Sequence, residues 1–527
     1  MKKRIFLVFL ILMILEAPIF GGGEKEKAAE TGPAKISYMI RDLGRYQTNP
    51  KKHIPLSHLA EKFNVEWDLI VVPSSDFMNK LSVTLVSGDV PDIIIYSGRD
   101  WPTVIGGYGL DGYFLDFKPH IDAGKMPNLV KNFYNKIPNS IKNSMTDDGK
   151  LYYIGRLKTT TDDNFSQAFC HRKDIFAKHG MTAGNTFDSF YHNLKQLKQL
   201  YPDKFPFSVP HGVGWMLNQF APLFETGIGK GYTEDFLGVY YDHWSDPSKF
   251  TRAGTSEKYK KMLQFLNKLY TEGLLHPEFN ADRGRATYHK LIVNNQIYMG
   301  INSSYVTVDT VTVAGQKENN NPEFEWTWSE FPSYNGPGRT HSYLDVDSEG
   351  KVVSAKSKNI DKIVQILDYM CTEDYFVYEF WGAEGETYTR DADGKPQRME
   401  HMVPTQAQWD RGLVADNIAI IGYFPGQQEA GARPRARAQL KYYDNREGNG
   451  SALPDDPYLS FTEDEVEKLR ESDAVKIYGL EMAMKFITGE ESFVNWDKYV
   501  ARLQELGVNK IVAIYSQAFE RYKKRTP

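Results

Sequence analysis

Glu384 and Glu386 stand two positions apart in WGAEGETYTRDADGKP, residues 381–396, three and five positions after a tryptophan. On an extended segment two such carboxylates project to one side about 7 Å apart, a separation that an inverting glycosidase pair tolerates. Hydrolysis also needs one carboxyl kept protonated by an apolar pocket while the other stays ionised. Gly382, Gly385 and Thr387 furnish no such pocket, so binding or structural duty is expected, with glycoside hydrolase or lyase chemistry through Glu384 and Glu386 as the alternative. Asp391 and Asp393 invite a second reading, as positions three and five of a calcium loop with Gly394 at six and Glu400 at twelve. Thr389 at position one and Pro396 at position eight break that pattern, and Asp-Gly chemistry predicts a hairpin tip.

Other motifs exclude more than they offer. ETGIGKGY lacks the first glycine of a phosphate loop, where Phe224 stands, and the magnesium-binding hydroxyl, where Gly231 stands. The 12 histidines show no zinc spacing, and no Gly-x-Ser-x-Gly occurs. No cofactor and no metal site are expected. ARPRARAQLKYY, from Ala432, interleaves basic and aromatic residues, but a net charge of -5 gives no reason to expect nucleic acid, and a solvated or lobe-bridging strip is the reading.

Aromatic side chains beside Asp, Glu, Asn or Arg are the residue types that hold a sugar, the ligand that the family resemblance given below implies. A pyranose has an apolar face that stacks on aromatic rings and a rim of hydroxyls that takes planar polar partners. With 9 tryptophans the chain can supply both. The candidates lie at strand ends and irregular turns: Trp101 beside Arg99 and Asp100, Trp215 in HGVGWMLNQ, Tyr305 after Asn302, Trp381 beside Glu384, and Arg41 with Asp42. For each aromatic the competing duty is core packing.

Regular elements must position these residues. KISYMIR alternates Ile36, Tyr38 and Ile40, and VEWDLIVV alternates Val65, Trp67, Leu69 and Val71, so both predict strands. PLSHLAEKF between them predicts a short helix. VPSSDFMNKLSVTLVSG predicts another, capped by Ser74 or Ser75, apolar at Met78, Leu81 and Leu85, and stopped by Gly88. PDIIIYS is a continuous apolar strand of the kind buried in a parallel sheet. This β-α-β-α-β order opens an α/β domain whose ligands bind beyond the carboxyl ends of its strands, which puts residues 41–46 and 97–101 at the site.

A second set of elements begins near Gln167. RKDIFAKHGM and FDSFYHNLKQLKQLYP are helical in pattern. EKYKKMLQFLNKLYTEGLL gathers Tyr259, Met262, Leu263, Leu266, Leu269 and Tyr270 on one face before Gly273. NQIYMGINSS predicts a strand running into a polar turn, and the C-terminal stretch predicts amphipathic helices broken at Gly489 and Gly507. The chain builds one α/β lobe, moves to a second, and returns.

VPSSDFMNKLSVTLVSGDVPDIII, DDGKLYYI, RKDIFAKHGM followed by TFDSFYHNLKQLKQLYP, LNKLYTEGLLHPEF, ILDYMCTEDYFVYEFWGAEGETYTRDADGKP and KFITGEESFVNWDKYVARLQELGVNKIVAIYSQAFERY stand in register over nearly the whole chain. Together they resemble a family 1 extracellular solute-binding protein, the receptor of a carbohydrate ABC importer, in the branch of lipoprotein-like oligosaccharide receptors. The resemblance implies two α/β lobes of the type II periplasmic-binding kind, a hinge, and a cleft that closes on an oligosaccharide for delivery to permease subunits. It implies a monomeric, non-enzymatic protein; a signalling accessory role is a further alternative. The expected limits are 34–158 and 326–425 for the first lobe, 159–325 and 426–527 for the second. Members often carry a calcium loop after the helix matched by FDSFYHNLKQLKQLYP, and YPDKFPFSVP in its place lacks the acidic ligands.

Composition and the first residues agree with an exported binder. At 527 residues and 41% hydrophobic, the chain can bury more than one core. A basic start, an apolar run over residues 5–15 and small residues at 21–23 predict a secretory signal, 1–23, followed by a flexible tether, 24–33. The run is shorter than the roughly 20 residues a spanning helix needs. No cysteine follows it to carry a lipid, which leaves a periplasmic or cell-surface location with the anchoring open. The 2 cysteines, Cys170 and Cys371, sit in apolar contexts and are expected as buried thiols.

Overall fold

The computed structural model describes residues 32–42, 47–97, 101–137, 139–158, 168–229, 236–281, 285–302, 305–334, 336–341, 346–402, 405–413, 422–423, 452–453 and 456–526. Ile36, Tyr38 and Ile40 form β1 (Ala34–Asp42), which pairs in parallel with β2 (Val65–Pro73) from Ala34↔Val65 to Asp42↔Pro73. Met39 is also buried, so β1 is covered on both faces. The helix Ile54–Phe63 between them starts on His53, whose Nδ1 accepts from Leu56 N at 3.3 Å. The next helix, Phe77–Ser87, begins at Asp76 without a side-chain cap, not at Ser74 or Ser75, and ends at Gly88 with φ 78°. β3 (Ile93–Ser97) then pairs in parallel on the other side of β1.

Three later strands complete this sheet: β4 (Ile154–Lys158), β12 (Val346–Val353) and β15 (Gly422–Tyr423). The order is β15-β4-β12-β3-β1-β2, with β12 antiparallel to both neighbours. Its core holds Trp101, Phe133, Tyr153, Val352 and Ile363. A second sheet, β10-β5-β9-β6, uses β5 (Ala168–Arg172), β6 (Phe207–Ser208), β9 (Met299–Asn302) and β10 (Trp326–Ser329). It lies in a separate core with Phe169, Leu217, Leu263, Phe486 and Ile511. Two-stranded pairs join β7 (Val239–Tyr241) to β8 (Phe250–Arg252), β11 (Thr340–His341) to β16 (Ala452–Leu453), and β13 (Tyr388–Arg390) to β14 (Pro396–Arg398).

The result is two α/β lobes. The chain passes from the first sheet to the second between 158 and 168, and returns between 329 and 346. It crosses once more after β15, where Tyr458 packs in the first core and Leu459 in the second. β10 pairs with β5, so Trp326–Ser329 stays with the second sheet, although 326 was the expected point of return.

The predicted amphipathic helices form. Glu257–Thr271 buries Tyr259, Met262, Leu263, Leu266 and Leu269, starts on Ser256 and is followed by Gly273 at φ 67°. Asp473–Thr488 and Val508–Lys524 meet Gly489 and Gly507 in left-handed geometry. One helix departs from expectation: Tyr305–Glu318 follows closely on β9 where only a polar turn was foreseen. Its β-branched residues disfavour a helix, but Val308 and Val311 are buried and Thr312 Oγ1 accepts from Trp326 N at 3.1 Å, so packing decides. Cys170 and Cys371 are buried free thiols in different cores. Among the described residues no helix is long and apolar enough to cross a membrane.

Candidate functional site

Parallel pairing puts the carboxyl ends of β1, β3 and β4 on one edge of the first sheet, beside the start of β12. At that edge Glu349 of β12 accepts from Arg41 Nη2 of β1 at 3.1 Å and pairs with Arg156 Nη1 of β4 at 3.2 Å. All three are partly buried, so the trio carries one net positive charge shielded from bulk water, with planar donors suited to hydroxyls or carboxylates. Asp42 closes β1, and its carbonyl accepts from Ser74 N at 3.1 Å. Trp101 opens the helix Trp101–Leu110 just after β3. It is 1% exposed, stacked at 4.4 Å on Tyr153, and 6.2 Å from the ring of Tyr458 on the crossing segment.

The second sheet has a matching edge, because β5 begins where β6, β9 and β10 end. The helix Gly212–Phe220, which carries Trp215, starts shortly after β6. Its approach is tight: Gly212 has φ 83°, a Cβ there would lie 2.8 Å from Asn280 Oδ1, and that oxygen accepts from Val213 N at 2.9 Å. Trp215 is buried, with the His211 ring 5.7 Å away. Asn302 closes β9 and Tyr305 opens the next helix. The link 159–167 joins the two edges, and its length holds Lys158 and Ala168 within about 35 Å.

Six of the ten sequence candidates therefore gather on two edges: Arg41, Asp42 and Trp101 on one, Trp215, Asn302 and Tyr305 on the other. The indole N–H groups of Trp101 and Trp215 are buried without a hydrogen-bond partner among the described residues, but Trp244 and Trp326 share that property, so it does not single out ligand contacts. Arg99, Asp100 and the basic-aromatic stretch 432–443 lie outside the described residues.

Trp381 and Glu384 lie in the turn between the helix Glu373–Phe380 and β13. Trp381 is 8% exposed in a small cluster with Phe380 and Tyr388, and the Arg398 guanidinium lies 5.0 Å from its ring. The expected extended geometry of Glu384 and Glu386 does not form. Gly385 has φ 82° and Glu386 N donates to Ala383 O at 3.1 Å, so the segment turns. Glu384 pairs with Arg390 at 3.2 Å and Glu386 with Arg411, both about half exposed. Neither carboxylate sits in an apolar pocket. The hairpin forms as predicted: Asp391 Oδ1 accepts from Asp393 N at 3.0 Å and Lys395 N at 2.9 Å, and the backbone N–H of Lys395 is the main cause holding the Asp391 carboxyl below its ordinary pKa.

Among the described residues no cluster of His, Cys, Asp or Glu could hold a metal. At the loop after the helix Phe187–Leu200, Lys198 Nζ donates to Pro202 O at 2.8 Å and Lys204 O at 2.9 Å. Glu349, Arg156 and Tyr153 went unread in the sequence. Arg156 did leave a signal, a cation inside the apolar run LYYIGRLK; Glu349 lies in VDSEGKVV, too polar to read as an interior strand.

A family model described as "Bacterial extracellular solute-binding protein" matches residues 55–375. Polygalacturonan/rhamnogalacturonan-binding protein YtcQ of Bacillus subtilis is 22% identical over 99% of both chains. The fructooligosaccharide ABC transporter substrate-binding protein FusA of Streptococcus pneumoniae is 22% identical over 93% of this chain and 90% of its own. The solved structure of an HMO-binding, ABC-transporter-associated solute-binding protein from Bifidobacterium longum infantis superposes with a TM-score of 0.72 at 18% identity, covering 94% of this chain and 100% of that one.

Proposed function

The chain belongs to the bacterial extracellular solute-binding proteins, and from that premise we propose that it captures an oligosaccharide between its lobes and delivers it to the permease subunits of an ABC importer. The observation that carries this reading is the pair of sheet edges, each bearing aromatic and polar residues and tied together by the crossing segments. A ligand that touches both edges only when they approach has a higher affinity for the closed form, and that difference drives closure. The names of the two relatives, a polygalacturonan/rhamnogalacturonan-binding protein and a fructooligosaccharide ABC transporter substrate-binding protein, support a sugar.

Binding without turnover is part of the proposal. Glu384 and Glu386 are each neutralised by their own arginine and half exposed, the reverse of a carboxyl held protonated by burial. We assign residues 34–158 and 346–423 to the first lobe, 168–329 and 456–526 to the second, and take the protein to act outside the cytoplasm as a monomer.

Thermal-shift screening against a panel of oligosaccharides, followed by chromatography of the incubated sugars, tests this. One class should raise the melting temperature and come back intact. Cleaved product, or no stabilising sugar at all, would overturn the reading.

A further inference from the structure

The second lobe carries a groove of about 690 Å³, within the range of small-ligand clefts. One wall is the outer face of the helix Glu257–Thr271, where Lys258, Lys261, Phe265 and Lys268 recur at helical spacing. The opposite wall comes from the 3-10 turn Ala221–Phe224 and the segment 333–339 that follows β10.

Two features give the groove a chemical character. The first is an aromatic platform. Tyr334 is 59% exposed, yet its ring is held against Phe187 at 4.6 Å and Phe224 at 5.4 Å. A large ring fixed on one face and open on the other suits the apolar face of a pyranose. The second is unbalanced charge. Lys258, Lys261, Lys268 and Arg339 line the groove with Glu225 as the one carboxylate among them. Glu225 is committed to Lys258 at 2.7 Å, and Lys268 Nζ sits 3.8 Å over the Tyr191 ring. Lys261 and Arg339 have no carboxylate partner among the described residues, and the Gln264 amide, which also lines the groove, offers both a donor and an acceptor.

We propose that this groove is a second glycan site, taking a carboxylated sugar unit of an acidic oligosaccharide with the ring on Tyr334 and the carboxylate on Lys261 and Arg339. The proposal rests on the reading of the protein as an oligosaccharide receptor and names a substrate class for it: glycans with uronate units, long enough to be held on the lobe surface as well as between the lobes. A phosphate would satisfy the cations alone and leave the exposed tyrosine without a role, which is why a sugar acid is favoured.

Isothermal titration of the full chain with trigalacturonate, its methyl-esterified form and an uncharged trisaccharide tests the site. Trigalacturonate affinity should fall at least tenfold in the double variant Lys261→Glu/Arg339→Glu and in Tyr334→Ala. The methyl ester should bind the wild-type chain as weakly as trigalacturonate binds the double variant. All three side chains are exposed, so melting curves should show the variants folded. Unchanged trigalacturonate affinity in the variants overturns the groove and leaves the interlobe reading in place. Loss of all binding in the groove variants overturns the interlobe reading and leaves the groove. Displacement of trigalacturonate by inorganic phosphate at equal concentration reveals a general anion site and overturns the glycan assignment. A wild-type chain that binds none of the three overturns both.

Discussion

Arg525 Nη2 lies 2.7 Å from Asp147 Oδ1, and Arg521 Nε reaches the other oxygen of the same carboxylate at 2.9 Å, so the last helix of the second lobe is fastened to a loop of the first. Asp147 sits between Met145 and Leu151 of the first core, while Phe519 and Tyr522 on the arginines' helix belong to the second. Arg525 also donates to Tyr458 O at 2.8 Å, and Tyr522 Oη to Asn143 Oδ1 at 2.6 Å. The lobes are joined on this side by charge and hydrogen bonds as well as by the chain.

Arg525→Ala should therefore destabilise the protein by about 3 kcal/mol, because loss of the buried guanidinium leaves Asp147 and three further acceptors with fewer partners. The urea midpoint reads this. A change under about 0.5 kcal/mol, the scale of a surface ion pair, would refute it.

His171 of β5 gives a pH dependence. Its Nδ1 lies 3.0 Å from Ser329 Oγ of β10, and burial, with a smaller contribution from Lys173, pushes its pKa down to about 4. Between that value and about 6.5 the unfolded chain binds the extra proton, so this contribution to stability is complete above 6.5 and falls by up to about 1.4 kcal/mol per pH unit toward 4. His171→Gln should flatten the loss of stability from pH 6.5 to 4.5; the same slope in the variant would rule His171 out.

Lys198 holds its loop with an ammonium on two backbone carbonyls. Chelator and added calcium should both leave the melting temperature unchanged, while Lys198→Met should lower stability by about 1 kcal/mol through the two lost carbonyl bonds. Calorimetry with and without chelator checks it, and a drop of several degrees on chelation would contradict it.

Trp381→Ala and Glu384→Gln should separate sharply in stability. The first empties the centre of a small buried cluster and should cost about 3 kcal/mol. The second loosens a half-exposed ion pair and should cost less than about 1 kcal/mol. Denaturation of the two variants measures both, and equal losses would mean that Glu384 has a buried role.

What could be read from sequence followed the strength of local pattern. β1, β2 and the helix Glu257–Thr271 repeat their apolar residues at the period of their own geometry, β3 is a continuous apolar run, and all four form where expected. Tyr305–Glu318 was missed because its valines and threonines favour strands and only the contacts of Val308, Val311 and Thr312 make it a helix. The cap at Asp76 was misplaced because two serines precede it with the same preference. Of the edge residues, Arg41 and Trp101 were visible as polar or aromatic residues at strand ends. Glu349 was not, since its partners Arg41 and Arg156 lie 308 and 193 positions away in the chain.

The position of β12 between β3 and β4 governs the order in which the molecule can be made. A chain growing from its amino end completes β3 and β4 by residue 158 but lacks the strand that joins them until residues 346–353 emerge. Over that interval the first sheet is two fragments, each with an unpaired inner edge open to wrong partners. The second core waits longer, for the helix Val508–Lys524 at the end of the chain. Neither lobe can mature before nearly all of the polypeptide is present, so long-range pairing slows folding and leaves those edges open to aggregation until it is complete.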